Sequence, residues 1–119
     1  MNKNELKNIA ENLVDTFNEA GKETIELYKK GLKIEIKKDN SPVTNGDIRA
    51  NELITKKILK LTPNIPIISE ETVDLKVKNV NKNFWLIDPI DGTKDYIKKG
   101  DEYTLNACLV IDLKPALGL

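Results

Sequence analysis

Four apolar residues, Phe84-Trp85-Leu86-Ile87, run straight into Asp88-Pro89-Ile90-Asp91-Gly92-Thr93. The apolar run has the length and composition of a buried strand. Two carboxylates follow at once, bracketing Pro89 and Ile90, with a proline to stop the strand and a glycine to turn the chain. A strand driven end-on into acids makes a poor core element. It makes a good holder for a cation at a fixed sheet edge.

The chemistry available at such an edge is narrowed by what the chain lacks. It contains no histidine, which removes Ser-His-Asp and Cys-His nucleophilic sites, imidazole acid-base catalysis and nearly all zinc chemistry. Carboxylates, hydroxyls, lysines, backbone groups and any ion they hold remain. One cysteine in 119 residues cannot close an internal disulfide, so a reducing, cytoplasmic setting is the default. Lys+Arg and Asp+Glu both number 19, and that balance argues against a nucleic-acid-binding surface. The first 30 residues are charged throughout, which excludes an ordinary signal peptide or a membrane span there.

Residues 4 to 30 read as one helix, with Leu6, Ile9, Leu13, Phe17, Ala20, Thr24 and Leu27 in a single stripe. Gly21 weakens its middle, and Gly31 is placed to end it as a left-handed cap. Leu32, Ile34 and Ile36 alternate with charged residues, predicting a half-buried strand, and Lys38 to Pro42 is a turn. Thr44 is a natural N-cap for a second helix to about Leu61, and Asp47 completes a variant capping box. Ala50, Ile54, Ile58 and Leu61 form its stripe. A short strand over 65 to 68 ends in Ser69-Glu70-Glu71, and residues 72 to 83 read as a polar surface connection. The strand at 84 to 87 follows, then a long strand over 103 to 111 and the start of another after the turn at 112 to 114.

Two strands therefore end in acids, one in Glu70 and Glu71, the other in Asp88 and Asp91. Brought together in one sheet they would repel, and a divalent cation would relieve the repulsion. All-oxygen ligation selects Mg²⁺, Mn²⁺ or Ca²⁺. Each piece alone has a plainer reading: Asp47 as a cap, Glu70 and Glu71 as solvated loop acids, Asp88 and Asp91 as turn formers. Cys108 reads as core, and Lys94 and Tyr96 as surface residues.

Trp85-Leu86-Ile87-Asp88-Pro89-Ile90-Asp91-Gly92-Thr93 resembles the signature of the inositol monophosphatase superfamily of Mg²⁺-dependent, lithium-sensitive phosphatases. Ser41-Pro42-Val43-Thr44 with Asp47, and Ile68-Ser69-Glu70-Glu71, resemble two further segments of that family, in family order. Gly92-Thr93-Lys94-Asp95-Tyr96-Ile97-Lys98 is similar to the bacterial-type 3'(2'),5'-bisphosphate nucleotidase branch, with Lys94 as the main discriminating residue. The resemblance implies an α/β fold: the N-terminal part of a layered α-β-α-β-α sandwich, with a long first helix, a hairpin, a second helix and a mixed sheet. On this reading residues 1–119 are the N-terminal portion of a sugar-phosphatase-type domain.

The same resemblance implies roles by position. Glu70 binds the first Mg²⁺, Asp88 bridges two ions, Ile90 lends its backbone carbonyl, Asp91 binds the second ion, and Glu71 assists a weaker third. Thr93, hydrogen-bonded to Asp47, orients the attacking water. Glu70, Ile90, Asp91, Gly92, Thr93 and Lys94 contact the substrate. The implied reaction removes the 3'-phosphate of 3'-phosphoadenosine 5'-phosphate to give AMP, by in-line attack of metal-activated water. Its implied setting is a cytoplasmic enzyme, peripheral at most to the inner membrane face, and a homodimer at full length. Inositol monophosphatase activity is the first alternative, and an inactive metal-binding or interaction module the second. The family's remaining metal aspartate belongs to a later motif, so little phosphatase activity is expected from these 119 residues alone.

Overall fold

A computed structural model describes residues 1–69 and 82–119. The N-terminal stretch forms helix α1 (Lys3–Lys30), which buries Ile9, Leu13, Ala20 and Thr24 along the expected stripe. Its start is closed by a capping box between Asn2 and Glu5. Gly31 ends it at φ 102°, ψ 121°. The positive φ is one that glycine adopts freely, but this ψ is not that of the left-handed helical cap expected. The chain instead leaves extended, toward β1.

Strands β1 (Ile34–Ile36) and β2 (Pro42–Thr44) pair antiparallel as a hairpin. The half-burial predicted for β1 is not found: all three residues are exposed, Ile36 at 66%. Alternation gives a strand two different faces, but a two-stranded ribbon has no second layer to cover the apolar one. The Asp39 carboxylate accepts hydrogen bonds from the Ser41 hydroxyl and amide across the turn. Those bonds hold Asp39 below the usual carboxylate range.

Helix α2 (Asn45–Leu61) lays Ala50, Ile54 and Ile58 against the core. Arg49 joins α2 to Glu23 of α1 at 3.1 Å, a partly exposed pair worth about 0–1 kcal/mol. Four strands complete the fold: β3 (Ile67–Ser69), β4 (Phe84–Asp91), β5 (Thr104–Ile111) and β6 (Lys114–Gly118), in that spatial order. β3 runs parallel to β4, and the other pairs are antiparallel, so the sheet is mixed as expected.

One face of this sheet packs on the helices. Trp85, Ile87, Ala107 and Leu109 meet Leu13, Ala50, Ile54 and Ile58 there. Trp85 is fully buried, and its indole N–H donates to the Thr62 hydroxyl at 3.0 Å. The opposite face carries Leu86, 44% exposed, beside Ile68 and Cys108 around a hollow of about 670 Å³. Cys108, read as core from the sequence, is half-buried on this outer face opposite Leu86. The connection expected over 72 to 83 lies outside the described residues except for Lys82 and Asn83, which are exposed.

Candidate metal centre and active site

Strand β4 does not stop at its proline. It continues through Pro89, which is fully buried, to Asp91. What changes there is the register. Asp88 faces Asn106 of β5, but Asp91 faces Thr104, so β4 holds one more residue than its partner between these pairs. Asp88 and Asp91 are three apart, and strict alternation would put them on opposite faces of the sheet. The bulge cancels that odd spacing, because Asn106 and Thr104 are two apart and share a face. Both carboxylates line one cleft of about 260 Å³, together with Ile90, Gly92, Thr93 and Lys94. Lys37, Ser41 and Pro42 of the hairpin form its other wall.

Gly92 follows in the left-handed region, at φ 91° and ψ 41°. A Cβ there would also lie 3.0 Å from the Glu102 carbonyl oxygen, so the turn needs glycine. It opens the short helix α3 (Thr93–Ile97). The Thr93 hydroxyl donates to Asp47 Oδ1 at 2.9 Å, joining α3 to the start of α2 across 46 residues. The other Asp47 oxygen accepts from the Thr44 amide at 2.9 Å and from the Thr44 hydroxyl. Asp47 is fully buried. It therefore acts as cap and as hydrogen-bond partner of Thr93 at once.

The donor set in the cleft suits a hard cation. Asp88, Asp91 and the Ile90 carbonyl offer only oxygen. Asp88 Oδ1 is shielded from solvent, a position whose desolvation a cation would offset. Glu70 and Glu71 lie outside the described residues. The strand leading to them is placed, however: Ser69 pairs in parallel with Ile87, so the two acid-ended strands are neighbours pointing the same way. Among the described residues no group of three or more metal-binding side chains forms.

Tyr96, read as a surface residue from the sequence, is fully buried. Its hydroxyl donates to the Thr24 carbonyl of α1 at 2.6 Å, and its ring packs on Tyr28 and Tyr103. Burial, and then the neighbouring Tyr103 and Asp47, push this phenol well above the ordinary tyrosine range. Sequence reasoning also missed the buried bond from the Ser69 hydroxyl to Asn51 Oδ1, 2.6 Å, which ties the end of β3 to α2. Asn51 lies one residue after Ala50 in the α2 stripe. A polar residue on the edge of an apolar stripe was the only local signal for it.

Solved structures share the fold. The chain superposes on an IMPase/NADP phosphatase crystallised with Mg²⁺ and phosphate, at TM-score 0.77 and 23% identity, over 95% of this chain and 43% of that one. The fold is thus the α/β type of inositol monophosphatases. Residues 4–119 match the inositol monophosphatase family, and the chain belongs to it. A similar relative is the 3'(2'),5'-bisphosphate nucleotidase CysQ of Escherichia coli K12, 40% identical over 103 residues, covering 84% of this chain and 42% of the relative. The crystal structure of CysQ from Bacteroides thetaiotaomicron matches at TM-score 0.72 and 32% identity, over 95% of this chain and 41% of that chain. The chain therefore spans about two-fifths of the length of the relatives it matches.

Proposed function

We propose that the protein is a Mg²⁺-dependent phosphomonoester hydrolase that removes the 3'-phosphate of 3'-phosphoadenosine 5'-phosphate. The observation that carries this reading is the Thr93–Asp47 hydrogen bond beside a cleft lined by Asp88, Asp91 and Ile90. Likeness to the CysQ nucleotidases and the lysine at position 94 support the nucleotide branch over the inositol phosphate one. Asp88, Asp91 and the Ile90 carbonyl would hold Mg²⁺, with Glu70 and Glu71 completing the set for two ions and a weaker third. Mg²⁺ there supplies charge neutralisation and a lowered water pKa.

The chain's own residues do the rest. Thr93 gives its hydroxyl proton to Asp47, which leaves its oxygen lone pairs free to accept a proton from water. Asp47 can receive the proton that Thr93 passes on, because the Thr44 amide and hydroxyl stabilise its charge from the other side. This relay does the work of the histidine base the chain lacks. Gly92 and Thr93 amides contact the phosphate, and Lys94 on the cleft wall attracts the second one. The partner is a phosphorylated nucleotide, and the whole protein is a homodimer in the cytoplasm.

The relatives are more than twice as long, so the assay uses the whole reading frame with Mg²⁺. It compares 3'-phosphoadenosine 5'-phosphate with inositol 1-phosphate. The nucleotide should be preferred; the opposite preference moves the protein to the inositol branch, and no hydrolysis of either refutes the reading. Thr93→Val should lower the rate about 10²–10⁴-fold. Mg²⁺ titrated into the 119-residue chain should give binding heat that Asp88→Asn abolishes, and heat unchanged in that variant would remove the site.

A further inference from the structure

Helix α3 has five residues and no side-chain cap. A helix this short does not hold itself in place, yet Thr93 at its first turn must meet Asp47 within hydrogen-bond distance. Thr93 and Tyr96 are three apart, so they project from the same side of α3. They land on adjacent residues of α2, Thr93 on Asp47 and Tyr96 on Gly46. The contact at Gly46 is tight. A Cβ there would lie 2.3 Å from the Tyr96 hydroxyl oxygen and 2.6 Å from its ring. Behind the ring, the Tyr96 hydroxyl is anchored to the Thr24 carbonyl of α1.

We propose that Tyr96, seated on Gly46 and tied to Thr24, is the positioning residue that sets the Thr93–Asp47 hydrogen bond. The inference rests on the reading of that pair as the proton relay. Its geometry is that of a two-point mount. Thr93 is held at Asp47, and Tyr96 fixes how close the helix can approach. A side chain at position 46 would push the ring away from α2 and carry Thr93 off with it. Loss of the Tyr96 hydroxyl would free the ring from α1 while keeping its bulk.

The test reads Thr93 directly in the ¹³C,¹⁵N-labelled 119-residue chain, through the three-bond couplings that report its side-chain rotamer. In the wild type these should be those of one rotamer. Gly46→Ala should shift them to averaged values while the couplings of Thr44, in the same capping box, stay put. A melted α2 start would move both. Gly46→Ala combined with Tyr96→Leu removes the clash but also the seat and the tie to Thr24, and should leave the Thr93 values averaged. Tyr96→Phe, which keeps the ring, should average them partially. Thr93 couplings unchanged in both Gly46→Ala and Tyr96→Phe overturn the proposal, as does a double variant, without the tyrosine, that returns Thr93 to one rotamer. If Gly46→Ala does not fold, Tyr96→Phe decides alone. An intact Thr93 response in this chain, with no phosphate hydrolysis by the whole reading frame, overturns the proposed function and leaves the positioning role standing.

Discussion

Helices α1 and α2 begin with the same local arrangement. At α1, Asn2 accepts from the Glu5 amide and Glu5 accepts from the Asn2 amide. At α2, Thr44 and Asp47 exchange the same pair of bonds. The first box is exposed and serves only its own helix. The second is fully buried, and its carboxylate has a further oxygen directed at Thr93. The difference lies outside the motif: what converts a cap into part of a site is the layer that covers it and one hydroxyl from a distant helix. A carboxylate that water cannot reach keeps its hydrogen bonds oriented, which is what the proposed relay requires.

The comparison breaks most easily at the two acids. Asp47→Ala leaves the buried Thr44 amide without its acceptor and takes from the half-buried Thr93 hydroxyl the nearer of its two, and should cost about 1–3 kcal/mol in urea unfolding. Glu5→Ala at the exposed box should cost about 0.5 kcal/mol. Equal losses would mean that burial does not separate the two starts. Alkaline pH sharpens the contrast, because Tyr96 sits only at the α2 start. Its phenol is pushed up on folding, so the neutral form is the one the native state favours. That stability is complete below the ordinary tyrosine value of 10.0 and is lost as pH rises beyond it. Tyr96→Phe should flatten this fall in a Tm-against-pH series, and a fall unchanged in that variant assigns it elsewhere.

The smallest effect separates two glycines. A Cβ at Gly21, in mid-α1, meets nothing within 4 Å. Gly21→Ala should therefore raise stability by about 0.5–1 kcal/mol. Gly46→Ala should not give that gain, since the methyl meets Tyr96. A thermal shift of the same sign and size in both variants would show that the ring yields easily.

The two helices were legible because their signals are local: apolar stripes at steps of three and four, and a capping residue three before an acid. The strands were legible as apolar runs, while their mixed sheet was an expectation from the family resemblance. What the sequence hid depends on partners far along the chain. Ile34 and Ile36 alternate like a half-buried strand, but among the described residues no element covers them. Tyr96 looks like a residue in a polar stretch, and only the meeting of α1, α2 and α3 buries it. Pro89 signals the end of a strand, yet it sits at the bulge, where the missing N–H has no ladder bond to break. The candidate site residues stood out through the family resemblance, whereas the bulge that sets Asp88 and Asp91 on one face had no sequence signal.

That bulge makes the spacing of the two acids a matter of count rather than of composition. Between Asp88 and Asp91 the side chains at 89 and 90 can vary within the limits of packing, and both acids keep their face. Removing one residue would restore strict pairing with β5 and turn everything after the deletion by half a twist, carrying Gly92 and the start of α3 out of phase with α2. Between the two acids the segment is tolerant of spelling and intolerant of length, so at positions 89 and 90 an insertion or deletion displaces the site where a substitution need not.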